Sequence, residues 1–361
     1  MQNATLGIGV IGIGNMGADH VKTITTAVSG AEVRAIADID LGRAEMIASR
    51  VPGARTLASA ENLIRAPEVD AVIVASNDAV HAKYVVATIA AGKPVLCEKP
   101  LAPTVAECEN ILRAEQAAGL RLVQVGFMRR FDPGYVELRD KIASGVIGAP
   151  LLANCAHRNF RVGDTWPPQA TIIRSAVHEI DVMPWVFGRE VVAVDWLSPI
   201  TPDSGKLPDP QVVILQLEGD ALVVAEILMR SNYGYEIRCE VVGEKGTVEL
   251  APAARTVVRS DLKASRDVPR DWRDRFAEAY RLELQSWVNA IFRWRSDKTE
   301  SGPVDGADAW DGYRAAVIAD AVLASMARGG RVAVESTPLP ELYRRSRAAA
   351  ASTGGGESSQ A

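Results

Sequence analysis

The sequence predicts an α/β fold class: a parallel, doubly wound sheet, followed by an α+β domain with a large, mostly antiparallel sheet. Three observations predict it. Apolar strands alternate with ten-odd-residue helices through the first third of the chain, and hairpin turns separate strand-like runs beyond residue 190. Hydrophobic residues make up 48% of the 361, enough for a core in each of two domains of roughly 100–200 residues. The expected boundaries are 1–128 for the first domain, 129–345 for the second, and 346–361 for a small, Gly/Ser-rich disordered tail.

In the first domain Leu6–Ile13 reads as a buried strand, and Met16–Val28 as a helix stopped at Ser29-Gly30. Glu32–Asp38 is the second strand, and Asp40 caps a helix over Leu41–Arg50. Val69–Ala75 is a third apolar strand, followed by a helix to about Ala91. Pro94–Cys97 and Arg121–Val125 are further strands, flanking a helix from Thr104 to Ala118 that ends at Gly119. Strands joined through helices imply right-handed crossovers and parallel pairing. Past Met128 the pattern changes. Pro133–Ser144 and Thr171–Phe187 read as helices; Val191–Leu197, Gln211–Leu217, Ala221–Arg230, Tyr235–Val242 and Thr247–Leu250 read as strands. Turns at Glu218–Asp220 and Gly243–Gly246 make these an antiparallel meander. One face of such a sheet can stay uncovered by its own helices, which predicts a homo-oligomer, a dimer or tetramer, formed through it. Trp272, Phe276, Tyr280, Trp287 and Ile291 recur at helical spacing, as in a helix packed on a core or subunit interface.

Composition removes several classes of function. With 40 Lys and Arg against 45 Asp and Glu, the chain has no basic footprint for nucleic acid or an anionic membrane. Cys97, Cys108, Cys155 and Cys239 form no CxxC and no zinc spacing, so they read as reduced thiols and no metal site is expected. No Lys or Arg precedes the N-terminal apolar run, and no apolar stretch reaches the ~18 residues of a membrane span. A cytoplasmic location is expected.

The chemistry begins at Gly12-Ile13-Gly14-Asn15-Met16-Gly17, a GxGxxG that follows a strand and opens a helix inside a βαβ unit. Gly12 permits the tight turn, Gly14 lets a pyrophosphate approach the backbone, and Gly17 allows close helix–strand packing. The helix N-terminus offers free N–H groups and a positive dipole end. Asp38 stands roughly 20 residues beyond Gly17, where a carboxylate accepts from the ribose hydroxyls and repels a 2′-phosphate. The first domain is thus expected to be a Rossmann domain with NAD as cofactor; Arg43 is the nearest cation that could meet a 2′-phosphate. Ser76, Asn77 and His81 follow the third strand, at the cofactor edge. Glu98-Lys99-Pro100 follows the strand ending at Cys97, at the carboxyl end of the sheet where open α/β sheets bind ligands. Lys99 can therefore point toward the nicotinamide.

These motifs, with Ala176-Val-His-Glu-Ile-Asp-Val182 further on, resemble the glucose–fructose oxidoreductase/inositol dehydrogenase/MocA family in order and spacing to about residue 340. Gly126–Tyr135, Cys155–Asn159 and Tyr233–Gly243 are similar to its inositol 2-dehydrogenase branch. The resemblance implies hydride transfer between a secondary alcohol of a polyol or sugar and NAD. It places Lys99 and His178 in catalysis, with Lys99–Pro100 cis, and Arg129, His157, Asn159, Arg174 and Tyr235 along the substrate. It also brings Asn15, Met16, Glu98 and Lys99 to the cofactor. Oxidising an alcohol needs a base for the hydroxyl proton, which histidine or a lysine of lowered pKa supplies near neutral pH.

One departure stands beside that chemistry. The branch has aspartate four residues before its histidine; this chain has Arg174, which at i and i+4 would share a helix face with His178. Arginine cannot accept a proton. Two other readings follow: a dehydrogenase of a different or anionic sugar recognised by Arg174, and a catalytically silent NAD or sugar sensor. Retained Lys99 and His178 speak against the sensor.

Overall fold

The computed structural model describes residues 5–200, 206–253, 256–297 and 301–344; the tail expected at 346–361 lies outside them. The chain forms two units. One holds residues up to Gly126, Glu283–Tyr313 and the described residues from Thr337; the other holds Phe127–Leu282 and Arg314–Ser336. The first division falls between Gly126 and Phe127, and the chain returns to the first unit twice, at Glu283 and at Thr337.

The first unit begins with β1 (Leu6–Ile11), α1 (Asn15–Ala27), β2 (Ala31–Ala37), α2 (Leu41–Ala48), β3 (Arg55–Thr56), α3 (Ala60–Arg65) and β4 (Ala71–Val74). It continues with α4 (His81–Ala90), β5 (Val95–Cys97), α5 (Val105–Ala118) and β6 (Val123–Val125). Side chains set the helix starts: Asp40 accepts from the Arg43 N–H, Ser59 from Asn62 and Thr104 from Glu107. Gly119, in the left-handed region at φ 67°, ends α5. Strands β6-β5-β4-β1-β2-β3 pair in parallel in that order. Every residue of β1 and β4 is buried, the signature of strands covered on both faces. The chain order reverses between β1 and β4, which makes the crevice beyond their carboxyl ends the place for a ligand.

The second unit contributes α6 (Pro133–Ala143), β7 (Pro150–Arg158), α7 (Pro168–Thr171), α8 (Val177–Phe187), β8 (Val191–Leu197), β9 (Gln211–Leu217), β10 (Leu222–Leu228), β11 (Glu236–Gly243) and β12 (Thr247–Glu249). An exposed hairpin follows, β13 (Val258–Ser260) and β14 (Lys263–Ser265). Helix α9 (Trp272–Ser296) starts in this unit and ends in the first, where its Leu284, Trp287, Val288 and Ile291 join the core around Leu6, Ile8 and Val10. Then come β15 (Ala307–Asp308), which pairs antiparallel with β6, α10 (Ala309–Arg328) and β16 (Val332–Ala333). The second sheet runs β12-β11-β7-β10-β9-β8-β16.

This sheet corrects the expected meander. β10 and β11 are not neighbours; β7 lies between them, parallel to β10 and antiparallel to β11. The Leu-Leu-Ala-Asn-Cys-Ala-His-Arg run has weak alternation, so only the sheet reveals it as a central strand. The helix expected over Thr171–Phe187 is also interrupted: Ile172–Ala176 is π-helical. The wider π turn removes the regular i, i+4 spacing that was expected to put Arg174 and His178 on one face.

Candidate active site

The glycine turn has the geometry its sequence requires. Gly12 sits at φ +88°, and a Cβ there would lie 2.5 Å from the Ser76 backbone. A Cβ on Gly17 would lie 1.8 Å from the Gly12 carbonyl oxygen, whereas one on Gly14 would meet nothing within 4 Å. The chain thus packs against two of these glycines and leaves open space over the third, as an approaching pyrophosphate needs. No side chain caps the N-terminus of α1, so its N–H groups remain for an anion.

Asp38 closes the other end. Its carboxylate accepts from the Ile13 N–H at 2.5 Å, the Asp40 N–H at 2.8 Å and Arg43 Nη2 at 3.0 Å. Partial burial pushes its pKa up, but these donors and the Arg43 charge more than offset this, and the carboxyl is held below its usual value. A cleft of about 620 Å³ runs past Gly12, Gly14, Asp38, Arg43, Ser76 and Tyr84. Within it the Ser76 hydroxyl is buried with no partner among the described residues. An open cradle, an ionised ribose-side carboxylate and an unsatisfied hydroxyl fit a bound dinucleotide. Asn15 is exposed and Met16 half-buried at the helix start. Asn77 spends its side chain on the Ala79 N–H at 3.0 Å. His81 is buried, with its ring nitrogens 2.8 Å from the Pro100 carbonyl oxygen and 3.1 Å from that of Ser76. It therefore ties two loops of the cofactor edge together.

Beyond β5 the Lys99–Pro100 bond is cis. Glu98 is buried; one carboxylate oxygen is 2.7 Å from His20 Nε2 on α1, and the other accepts from the Lys99 N–H at 3.2 Å. Burial raises the Glu98 pKa, yet His20 and Lys99 prevail and it is lowered. A Cβ on Gly126 would touch this carboxyl at 3.2 Å.

The second unit gathers most of the expected substrate residues. Arg129, 1% exposed, pairs with Glu179 of α8, its Nη2 lies 3.2 Å from His157 Nδ1, and its guanidinium lies over the Tyr135 and Phe276 rings. His157, near the end of β7, is 3.1 Å from the other Glu179 oxygen. The His178 ring lies 6.0 Å from that of His157, and Tyr235 meets His157 edge-on at 5.8 Å. Burial pushes Glu179 up, but Arg129 and His157 overcome it and hold the carboxyl at about 2. Burial likewise pushes the Tyr235 hydroxyl up to about 12, so it stays a neutral donor. Asn159 follows β7, half-buried, its amide 3.4 Å from Met229 Sδ. Arg174 is exposed on the π-helical segment, whereas His178 is buried.

Two residues escaped the sequence reading. Glu179 is the carboxylate around which Arg129 and His157 are arranged, and His20 is the partner of Glu98. The available signal for Glu179 was a charged residue in a helix otherwise buried almost throughout. His20 carried none, because its partner is distant in sequence.

A glycine turn at the switch point of a parallel sheet, an acidic residue on the ribose side and a lysine past the next strand define an NAD-dependent oxidoreductase. The comparisons agree. Residues 6–127 match the model of an oxidoreductase family with an NAD-binding Rossmann fold, and residues 139–334 its C-terminal alpha/beta domain. The chain belongs to the glucose–fructose oxidoreductase/inositol dehydrogenase/MocA family. It is 45% identical to inositol 2-dehydrogenase 2 of Saccharopolyspora erythraea, over 94% of this chain and 98% of that one. It is 42% identical to the inositol 2-dehydrogenase of Azotobacter vinelandii, over 93% and 97%. Among solved structures, myo-inositol dehydrogenase from Lactobacillus casei, in complex with NAD(H) and myo-inositol, matches at 31% identity and TM-score 0.87, covering 94% of this chain and 99% of that one.

Proposed function

We propose that this enzyme oxidises a secondary hydroxyl of an inositol to the corresponding ketone, reversibly, with NAD. The observation that carries the reading is the state of the Arg129–Glu179–His157 cluster. Its one full cation is already matched by a carboxylate held ionised. The groups packed around it, His157, His178 and Tyr235, are hydrogen-bonding side chains suited to an uncharged polyol. The similarity to inositol 2-dehydrogenases along nearly the whole chain supports the same substrate class.

In this reading NAD, bound along the glycine turn and Asp38, supplies the hydride acceptor. Lys99 Nζ takes the hydroxyl proton, and reversal returns it for ketone reduction; in the second unit the His178 ring offers a hydrogen bond to the polyol. Asn159, Tyr235 and His157 hold the remaining hydroxyls. We further place the protein in the cytoplasm as a homo-oligomer, a dimer or tetramer. Its contact would be the sheet face that carries Asn154, Arg158, Glu226 and Glu236, which border a groove of about 580 Å³. Light scattering on the purified chain tests this, and a monomer would refute it.

The substrate reading is tested by NADH absorbance with a panel of inositols, neutral hexoses and sugar acids. Turnover of myo-inositol or a close isomer is expected. Activity confined to sugar acids would replace it with an anionic substrate met by Arg174, and NAD binding without any turnover would point to the sensor.

A further inference from the structure

Glu179 lies immediately after His178, yet its carboxylate faces different partners. One oxygen pairs with Arg129 and the other lies 3.1 Å from His157 Nδ1. All three residues are nearly inaccessible to solvent. A buried carboxylate with two partners from separate elements constrains both: the segment Met128–Phe131 through Arg129, and β7 through His157. The Tyr135 hydroxyl, 3.4 Å from Arg129 Nη1, and the Phe276 ring enclose the cation, whose Nε is buried with no partner among the described residues.

We propose that Glu179 is a positioning residue for substrate binding: it clamps Nδ1 of His157, which turns the opposite ring edge, Nε2, toward a substrate hydroxyl. Arg129 acts with it as the buried counter-charge. The proposal rests on the polyol reading above. In physical terms, a buried ring held at one nitrogen has lost its rotational freedom before substrate arrives, so that ordering cost does not reduce affinity. Nothing in this role touches the dinucleotide, which binds in the first unit.

A double-mutant cycle separates this from a purely structural ion pair. Glu179→Gln keeps the side chain's shape but loses the charge that holds both partners. It is expected to lower kcat/KM for the polyol by about 10²-fold, chiefly through KM, since a misplaced binding group costs on that scale; NAD affinity, followed by fluorescence, should stay within about twofold of wild type. In a His157→Ala background the same substitution should change kcat/KM by less than about twofold, because the group it positions is gone. An equal drop in both backgrounds, or a weakened NAD affinity, would show that Glu179 only supports the fold. Should Glu179→Gln not fold, Glu179→Asp replaces it in the same cycle; it keeps the charge and shortens the reach. The imidazole nitrogen NMR shifts of His157 give a readout free of turnover. They should move in Glu179→Gln at constant pH, and unchanged shifts would overturn the proposal. A wild-type enzyme inert toward every inositol would defeat the polyol reading alone and leave this ring measurement standing.

Discussion

His20 Nε2 and Glu98 Oε1 lie 2.7 Å apart inside the first unit, both buried. This contact ties α1, the helix that opens at the dinucleotide turn, to the Glu-Lys-Pro segment carrying Lys99. Removing one partner of a buried pair leaves a charge without compensation, which costs about 3–5 kcal/mol. His20→Leu should therefore lower the urea midpoint and weaken NAD binding together. A variant with the wild-type midpoint would show that Glu98 relies on other partners.

Asp38 should set cofactor choice. Its carboxylate is held below its usual pKa; if it faces the ribose, a 2′-phosphate there would be repelled. kcat/KM is expected to favour NAD over NADP by well over tenfold in the wild type. In Asp38→Ser, Arg43 loses its 3.0 Å partner and becomes available to a phosphate, so NADP should improve while NAD declines. Equal efficiency with both cofactors in the wild type would refute the assignment.

Lys99→Ala tests the proton route. If Lys99 takes the hydroxyl proton, kcat should fall by about 10²–10⁴-fold, with NAD affinity retained. Near-wild-type turnover would show that Lys99 takes no part in the proton transfer.

Glu115 predicts a pH dependence of stability. On α5, its Oε1 accepts from the Leu122 and Val123 N–H groups and its Oε2 from the Tyr343 hydroxyl. Burial pushes its pKa up from 4.5 to about 7 despite these donors. Between those values the folded state binds more proton than the unfolded one, so this residue's contribution is complete below 4.5 and is lost as pH rises through about 7. Glu115→Gln should flatten the fall in unfolding free energy between pH 5 and 8. An unaltered slope in urea titrations would assign that fall to other groups.

Arg174→Asp restores the carboxylate of the inositol 2-dehydrogenase branch. If Arg174 shapes substrate choice, neutral inositols should become better substrates and any activity on sugar acids should collapse. A variant with the parent's substrate ranking and pH profile would place Arg174 outside the reaction.

Much of the first unit was readable from sequence because its determinants are local. The glycine turn, the Asp40 cap and the all-apolar strands act over a few residues. The Gly12 and Gly17 requirements follow from backbone geometry alone. The short β3 and α3 were missed, since six residues or fewer carry little periodic signal.

The sequence by itself determined the class of fold and the glycine turn of the dinucleotide-binding domain, and it singled out Asp38 and Lys99 as candidates, because each is specified by residue type within one short segment. Only the tertiary structure decided the rest. It inserted β7 between β10 and β11, which local alternation cannot encode because strand order depends on distant partners. It returned α9 to the first unit's core and broke the helix before His178 with π turns. It also brought Arg129, His157 and Glu179 together from residues up to 50 positions apart. A buried charge chooses its partners by burial and distance, and neither is written in the spacing of residues along the chain.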